Sequence, residues 1–484
     1  MLAPSYRKWP ESLWRDVTLS PVSKPTLLSV NEALAGRLGF NATWLASTEG
    51  VAMLAGCHMP AGVLPGAQAY AGHQFGQFVP SLGDGRAMLL GTVQDCEGTS
   101  FDVQLKGAGR TVFSRQGDGR AAIGPVLREY LLSEVMHAIG VKTTRALAAV
   151  ATGEDVLRER ALPGAILTRV SRSYLRVGSF QYAACRGDVT ALRAMVLFAA
   201  TKLYADRDTV AGDENPDIDA LRVSLFDAVA DAQADLIAHW MSLGFIHGVM
   251  NTDNMSIAGE TIDYGPCAFL DSYVPDKVFS GIDVRGRYGF NRQADVARWN
   301  LARFAESLLF SEDDDAIAPM RDIIDDFTSR FQRRYRGLMA QKLGLPGGNT
   351  EDNAVIDGCL NILTAESMDY TRFFRTLPDR VADVGGEIAL RNPRAYKDWA
   401  EKWAARVTHR PGGFKMAVDI MSQHNPAVIP RNHQVEKVIV AAEGGDLKPF
   451  HQLFDAVTHP YLQNAIFEAP PTREEEVHTT WCGT

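Results

Sequence analysis

Residues 247–265, HGVMNTDNMSIAGETIDYG, place an amide and two carboxylates in one short polar stretch. Asn254 and Asp263 supply the hard oxygen atoms that Mg²⁺ prefers when it also binds phosphate oxygens and water. Asp253 is a carboxylate that could take a proton from an attacking hydroxyl group. These residue types indicate metal-assisted transfer of a nucleotide phosphate. They are equally compatible with a turn and a helix cap, because Asn and Asp favour both.

The spacing of these residues matches the catalytic loop of protein kinases except at one position. His247 and Asn254 are seven positions apart, as are the His and Asn of H-R-D-x-x-x-x-N. The tripeptide at 263–265, DYG, stands where a kinase carries D-F-G, whose Asp holds Mg²⁺. Val249 occupies the place of the kinase catalytic Asp and cannot accept a proton. Asp253 is then the one carboxylate between His247 and Asn254.

Two elements are expected to position this loop. Apolar residues recur at helical spacing from Val223 to Gly244, which predicts a buried helix that ends at Gly244. Residues 255–257 and 261–263 flank a Gly-containing turn and predict a hairpin. Such a hairpin would bring Asn254 and Asp263 close enough to share a cation.

An upstream region has the residue types that hold a nucleotide phosphate. The turn at 83–86, GDGR, precedes a strand-like run at 87–93. Residues 101–106 then alternate apolar and polar, which places Lys106 on the polar face of a second strand. Glycines in such a turn let backbone N–H groups approach a phosphate. The order of turn, strand and lysine-bearing strand is that of a kinase N-lobe.

A helix is predicted next, over 124–139, with two interior acids. Either Glu129 or Glu134 could pair with Lys106, as an acid of the αC helix does in kinases; an exposed helix face with ordinary ion pairs is the alternative. Strands are predicted at 146–151 and 165–170.

Arginines cluster at the end of the second of these strands, at Arg169, Arg172 and Arg176. Guanidinium groups suit phosphate because they form bidentate, charge-assisted hydrogen bonds. Exposed salt bridges are the competing interpretation for any one of them.

The composition predicts a soluble globular protein of 484 residues with a net charge of −9. The acidic balance argues against a nucleic-acid partner, and no apolar run approaches the roughly 20 residues of a membrane span. Six scattered cysteines without a C-x-x-C pair indicate reduced thiols, so we expect a cytoplasmic protein. Residues 27–38 are predicted to form an amphipathic helix, and 64–82 an irregular segment in which His73 is structural.

Long motifs throughout the chain resemble the selenoprotein O family. They include GHQFGQFVPSLGDGRAMLLG (72–91), LKGAGRT (105–111), RQGDGRAA (115–122), REYLLSE (128–134), TTRAL (143–147), HGVMNTDNMSI (247–257), DYGP (263–266) and RWNLARFAE (298–306). The resemblance extends from about residue 5 to the C-terminus. It implies an α+β, protein-kinase-like bilobal fold in a family long regarded as pseudokinases. It also implies transfer of AMP from ATP to protein hydroxyl groups, with the nucleotide flipped so that its α-phosphate faces the acceptor.

The matched motifs imply roles for individual residues. Asp253 would be the proton acceptor, and Asn254 and Asp263 would bind Mg²⁺ or Mn²⁺. The ATP-binding residues implied are Gly83, Gly85, Arg86, Lys106, Asp118, Gly119, Glu129, Arg169, Arg176 and Asp263. Among these, the REY motif favours Glu129 over Glu134 as the partner of Lys106. Asp118, Gly119 and the arginines at 169 and 176 would hold the inverted γ-phosphate.

The resemblance also implies a redox switch, in which a cysteine of the tail pairs with one in the loop after D-Y-G. Cys482 stands in the tail, but the ending WCGT departs from the C-x-S pattern of the family. The aligned loop position is Phe279, and Cys267, twelve positions earlier, is the only local cysteine.

We therefore expect an N-terminal extension over 1–65, a nucleotide-binding N-lobe over 66–190 and a mainly helical C-lobe with a C-terminal extension over 191–484. The predicted function is a protein adenylyltransferase that uses ATP and Mg²⁺ on Ser, Thr or Tyr hydroxyls and acts as a monomer. A kinase that transfers the γ-phosphate is one alternative. An inactive nucleotide-binding scaffold is the other, because Val249 removes the usual base.

Overall fold

The computed structural model describes residues 2–206, 217–310, 314–347, 349–382 and 390–481. Within these residues, strands are concentrated before residue 172 and helices dominate after it, so the predicted α+β class is confirmed. The strands are β1 Trp14–Asp16, β2 Thr26–Val30, β3 Gly66–Gln68, β4 Gly72–Gln74, β5 Gln77–Val79, β6 Ala87–Gln94, β7 Ser100–Lys106, β8 Ala121–Ala122, β9 Arg145–Leu157, β10 Ala161–Ser171, β11 Phe245–Ile246 and β12 Ala268–Phe269. The α-helices are α1 Glu32–Arg37, α2 Ala42–Leu45, α3 Thr48–Leu54, α4 Ile123–Ala138, α5 Val177–Ala184, α6 Val189–Leu203, α7 Ile218–Leu243, α8 Gln293–Ser307, α9 Ile317–Lys342, α10 Thr350–Glu366, α11 Tyr370–Ala382, α12 Pro393–His409, α13 Gly413–His424, α14 Asn432–Glu443, α15 Lys448–Thr458 and α16 Ala465–Glu468.

The main sheet is antiparallel and has the strand order β1-β3-β6-β7-β10-β9-β2, with β8 paired to β10. Its central pairs fix the register of the site: Lys106 lies opposite Leu167, and Gln104 lies opposite Arg169. Because neighbours in register share a face, Gln104 and Arg169 project from the same side of the sheet.

Each face of the sheet packs against a different set of helices. On one face, Met88, Leu105 and Ile166 form a core with α1, α2 and α3. On the other, Leu89 and Leu167 pack against α4, which is buried along nearly its whole length. This second core continues into the helices after residue 172, so the sheet and the helical part of the chain share one interior.

The predicted helix before the polar loop is confirmed as α7, and Gly244 ends it in a left-handed conformation with φ of 74°. The strands β11 and β12 pair with each other and hold the two ends of the segment between them, which contains the loop. The helix predicted over 124–139 also matches the observed α4 within a residue at each end. None of the described helices combines the length and apolarity that a membrane crossing requires.

Two predictions of local structure before residue 83 were wrong. Residues 27–38 are not one helix: Leu27 and Val30 pair with β9, and the helix begins only after Asn31, whose side chain caps it by accepting from Leu34 N–H. The segment 64–82, expected to be irregular, contributes β3 to the main sheet and the hairpin β4–β5.

Candidate active site

A cavity of about 1160 Å³ opens between the main sheet and the loop that follows α7. It is lined by all twelve residues that the sequence predicts for the site. They are Gly83, Gly85, Arg86, Lys106, Asp118, Gly119, Glu129, Arg169, Arg176, Asp253, Asn254 and Asp263. Segments far apart in the chain therefore meet around one space large enough for a nucleotide.

Lys106 bridges two carboxylates at the floor of the cavity. Its Nζ lies 2.6 Å from Glu129 Oε2 and 2.8 Å from Asp263 Oδ1. Burial opposes ionisation of Asp263, but the charges of Lys106, Arg169 and Arg176 outweigh it and hold the Asp263 pKa well below its ordinary value of 3.8. Asp263 is thus an anion at any physiological pH.

The geometry agrees with the prediction that Glu129, and not Glu134, is the partner of Lys106. Glu134 faces away from Lys106 and accepts from Arg145 Nε at 2.9 Å and from Ala146 N–H at 2.8 Å. It ties α4 to β9 and takes no part in the cavity.

Arg169 and Arg176 differ in how many of their guanidinium N–H groups already donate to other residues of the protein. Arg169 donates to Glu129, Gln104 and Asp263, each within 2.9 Å. Arg176 uses only Nη1, which donates to Asp253 O at 2.8 Å and Asp263 Oδ2 at 3.1 Å. Its Nε and Nη2 are buried without a partner among the residues described. Since buried donors are normally satisfied, Arg176 is the better suited of the two to hold an anion. Arg172, in contrast, donates to Leu203 O and does not line the cavity.

Asp253 occupies a nearly dry position at the edge of the cavity. It is 7% exposed, its Oδ2 accepts from Gln74 Nε2 at 3.2 Å, and its Oδ1 is buried with no partner in the described part of the chain. Burial raises the Asp253 pKa from 3.8 to about 6, although the Gln74 bond and the Arg176 charge oppose the rise. A carboxylate with such a pKa can take a proton near neutral pH.

The loop that carries these residues is not held by the predicted hairpin. Instead, Ser256 forms an isolated β-bridge with Arg176, and Thr261 forms one with Thr143. His247 is fully buried, stacks on Trp240 and bonds through Nε2 to Ile262 O at 2.9 Å. It therefore ties the start of this loop directly to the residue before Asp263. Asp263 itself has a φ of 61°, a strained conformation of the kind that clusters at functional sites.

The residues present fit a divalent cation that also binds phosphate. Asn254 Nδ2 donates to Val249 O at 2.9 Å, which leaves its Oδ1 turned the other way as an acceptor. Asp263 Oδ2 accepts one bond in the described structure, from Arg176, and a carboxylate oxygen can accept a further one. Among the described residues, no group of three or more His, Cys, Asp or Glu could hold a metal alone. A cation here would take two protein oxygens and complete its shell elsewhere, as Mg²⁺ does.

The glycines of the GDGR turn serve packing more than direct phosphate contact. A side chain on Gly83 would meet the Phe113 ring at 2.3 Å. The N–H groups of Asp84 and Gly85 already donate to Gln68 O and Gly83 O. Arg86, which also lines the cavity, is the part of this turn with a cationic group to offer.

The QGDGR turn packs tightly against the LKGAGRT turn. A side chain on Gly119 would lie 2.2 Å from Gly109 O. Asp118 pairs with Arg158, which also lines the cavity, and the Arg158 bond lowers the Asp118 pKa. Arg158, oriented by Asp118, is therefore one of three arginines at this end of the cavity, beside Arg115 and Arg120.

Sequence reasoning missed Gln74 and Arg158. Gln74 lies in a segment predicted to be irregular, and only its bond to Asp253, 179 residues away, shows its importance. The tail also reaches the cavity, through Val477, Thr479, Thr480 and Trp481. Thr480 N–H donates to Phe279 O at 2.8 Å, so the tail meets the aligned loop position through backbone bonds. Cys267 is buried, and Cys482 lies outside the described residues.

The site thus combines a buried cationic pocket, an Asn–Asp pair for a cation and a carboxylate poised to take a proton, which suits the binding of a nucleoside polyphosphate. A family model described as protein adenylyltransferase SelO matches residues 2–458. This chain belongs to that family.

Similar proteins match the sequence of this chain over 99% of its length. A protein nucleotidyltransferase YdiU of Rhodopseudomonas palustris is 47% identical over 491 residues, which cover 99% of this chain and 98% of that protein. The protein of the same name from Nitrobacter winogradskyi is 48% identical and covers 99% and 95%. That of Methylorubrum extorquens is 48% identical and covers 99% and 98%.

Proposed function

We propose that this chain transfers AMP from ATP to Ser, Thr or Tyr hydroxyl groups of proteins and releases pyrophosphate. The observation that carries the proposal is the position of the base. Val249 stands in the kinase position, and Asp253, the carboxylate between His247 and Asn254, lines the cavity with one oxygen unpartnered among the described residues. Family membership supports adenylyl transfer as the reaction.

The protein architecture supports a kinase-like arrangement. The antiparallel sheet carries Lys106, α4 carries Glu129, and the loop after α7 carries the Asn–Asp pair, in the order found in kinases. We propose that residues 66–190 form the nucleotide-binding N-lobe and 191–484 the C-lobe with its extension, with 1–65 as an N-terminal extension. The expectations of a cytoplasmic, monomeric protein that binds neither nucleic acid nor membrane stay predictions.

ATP would lie with its terminal phosphates toward the arginines. Arg176 offers two donors that no described residue accepts from, and Lys106, Arg86 and Arg158 add positive charge around the same space. Asn254 and Asp263 would hold Mg²⁺ or Mn²⁺, which when bound neutralises phosphate charge and orients the phosphate oxygens.

Asp253 would accept the proton of the acceptor hydroxyl group while the hydroxyl oxygen forms a bond to the α-phosphorus of ATP. The bond between the α-phosphorus and the bridging oxygen breaks, and pyrophosphate leaves with the electron pair. The fixed cations of the pocket stabilise the charge that develops on it, which is the largest contribution in reactions of this kind. Gln74 would hold the Asp253 carboxylate in place through its bond to Oδ2.

Product analysis with ATP labelled at either the α- or the γ-phosphate tests this proposal. We expect protein-bound label only from α-labelled ATP, with release of pyrophosphate. Label from γ-labelled ATP with release of ADP would show a kinase, and neither product would show a nucleotide-binding scaffold.

Val249→Asp sharpens the distinction from a kinase. A carboxylate four positions earlier in the loop should neither rescue Asp253→Ala nor start γ-phosphate transfer, because the α-phosphate would face Asp253. Gain of γ-phosphate transfer by this variant would mean that ATP lies in the ordinary kinase orientation.

A further inference from the structure

Two loops meet at the rim of the cavity beside Asp253. The turn between β4 and β5 places Phe75 N–H 3.0 Å from Asn251 Oδ1 and 3.1 Å from Tyr288 Oη. Tyr288 belongs to the loop 279–288 and itself donates to Asn251 Oδ1 at 2.6 Å. The β4–β5 turn and the loop 279–288 are therefore joined two residues before the proposed base.

This rim exposes several large apolar side chains. Phe75, Phe78, Ile282 and Val284 are all exposed, from 36% for Phe75 to 93% for Val284. Phe75 and Ile282 also line the cavity, so the apolar rim is continuous with the space where the hydroxyl group must arrive. Exposed apolar groups beside a functional cavity mark a surface for a partner.

Uncompensated positive charge surrounds the same rim. Arg186, Arg285 and Arg287 form no ion pair with any carboxylate among the residues that the structure describes. Arg186 Nη1 donates to Pro80 O just after β5, and Arg287 stacks on Trp299, with Cζ 4.6 Å from the ring centroid. The one acid between Arg285 and Ile282, Asp283, is buried and accepts from the backbone N–H groups of residues 287 and 288.

The rim is thus positive in a chain whose net charge is −9. His73 on β4 reports the same field: burial lowers its pKa, and the charges of Arg303 and Arg287 lower it further. Exposed charges of one sign attract a partner of the opposite sign and orient it before contact.

We propose that this rim docks the acceptor protein through a segment in which an apolar residue neighbours the acceptor hydroxyl and acidic residues lie farther out. The acceptor residue would enter between Phe75 and Ile282 to reach Asp253. Its apolar neighbour would cover Val284, and the acidic residues would meet Arg285, Arg287 and Arg186. This inference rests on the proposed function and specifies the protein substrates that it would take.

Two random copolymers serve as acceptor probes, one of Glu and Tyr and one of Lys and Tyr, with α-labelled ATP and Mg²⁺. The full chain should label the Glu–Tyr polymer about tenfold more than the Lys–Tyr polymer, and this preference should shrink as salt is raised.

The matched variants use residues outside the nucleotide cavity. Arg285→Glu and Val284→Ser should each lower labelling of the Glu–Tyr polymer several-fold, by about fivefold or more for the charge reversal. Arg394→Glu and Leu462→Ser make the same chemical changes at exposed positions that do not line the cavity, and should label like the parent chain.

Equal labelling of the two polymers, a preference for the Lys–Tyr polymer, or no labelling of either would overturn the docking surface. So would equal labelling by Arg285→Glu and Arg394→Glu. Pyrophosphate release, measured in the same reactions, distinguishes failure of the docking surface from failure of the proposed function. Pyrophosphate release without polymer labelling would contradict only the docking surface. No pyrophosphate release by the parent chain would contradict the proposed function as well.

Discussion

Asp253→Asn should make the protein more stable and much less active. The Asp253 pKa lies at about 6 instead of 3.8 because the carboxylate is buried. At neutral pH the folded state therefore holds an ion that the unfolded state hydrates better. A pKa difference of about two units between the unfolded and folded states corresponds to about 3 kcal/mol of stability. Asparagine keeps the shape and can still accept from Gln74, but it carries no charge.

The sign of the pH dependence follows from the raised pKa. Below pH 3.8 the carboxyl group is protonated in both the folded and the unfolded state, and its contribution to the free energy of unfolding is fully present. That contribution is lost as the pH rises from 3.8 through about 6, since over this range the unfolded chain ionises freely while the buried carboxyl keeps its proton. Asp253→Asn should thus gain up to about 3 kcal/mol over the parent chain at pH 7.5, and the gain should vanish near pH 4.

Denaturant unfolding of both proteins at pH 7.5 and pH 4 measures this difference through the transition midpoints. Transfer activity of the variant should fall by about 10²–10⁴, while ATP binding is kept. Asp118→Asn is the opposite control, because Arg158 lowers the Asp118 pKa and its loss should destabilise at neutral pH. If Asp253→Asn were no more stable than the parent chain at pH 7.5, the carboxylate would not be desolvated in the folded state and its role as a tuned base would be refuted.

Three further variants test other contacts. Arg176→Gln should weaken ATP binding by about tenfold or more, because two buried donors lose their anion, and should weaken AMP binding less; calorimetry that finds equal losses would contradict a γ-phosphate role. Gln74→Leu should move the acidic limb of the kcat/KM profile to higher pH, since the Gln74 bond lowers the Asp253 pKa; an unchanged profile would show that Gln74 does not act on the base. Lys342→Met should raise stability by about 4 kcal/mol at pH 7, because burial lowers the Lys342 pKa from 10.5 to about 7. That gain should shrink toward pH 10.5, and denaturation that finds the same gain at both pH values would contradict it.

The sequence predicted most of the elements that carry the site, because their signals are local. The helical period of α7 and the alternation around Lys106 each reflect one buried face, and a buried face leaves a pattern in consecutive residues. The long motifs then placed the functional residues on those elements. All twelve predicted site residues line one cavity, and their individual roles stay predictions.

The errors concern contacts between distant segments. Residues 255–263 look like a hairpin, but their partners are Arg176 and Thr143, which no local pattern reveals. Leu27 and Val30 have the spacing of a helix and are drawn into the sheet by β9, since tertiary pairing overrides a weak local preference. Gln74 is a similar case, because its importance exists only through Asp253.

Intact-mass measurement of an acceptor protein after incubation with the full chain, ATP and Mg²⁺ tests the central claim most directly. Addition of AMP to the acceptor by the parent chain, and its near absence with Asp253→Asn, is the predicted result. Addition of phosphate, or equal addition of AMP by the parent chain and Asp253→Asn, would contradict the proposed attack on the α-phosphate with Asp253 as the base.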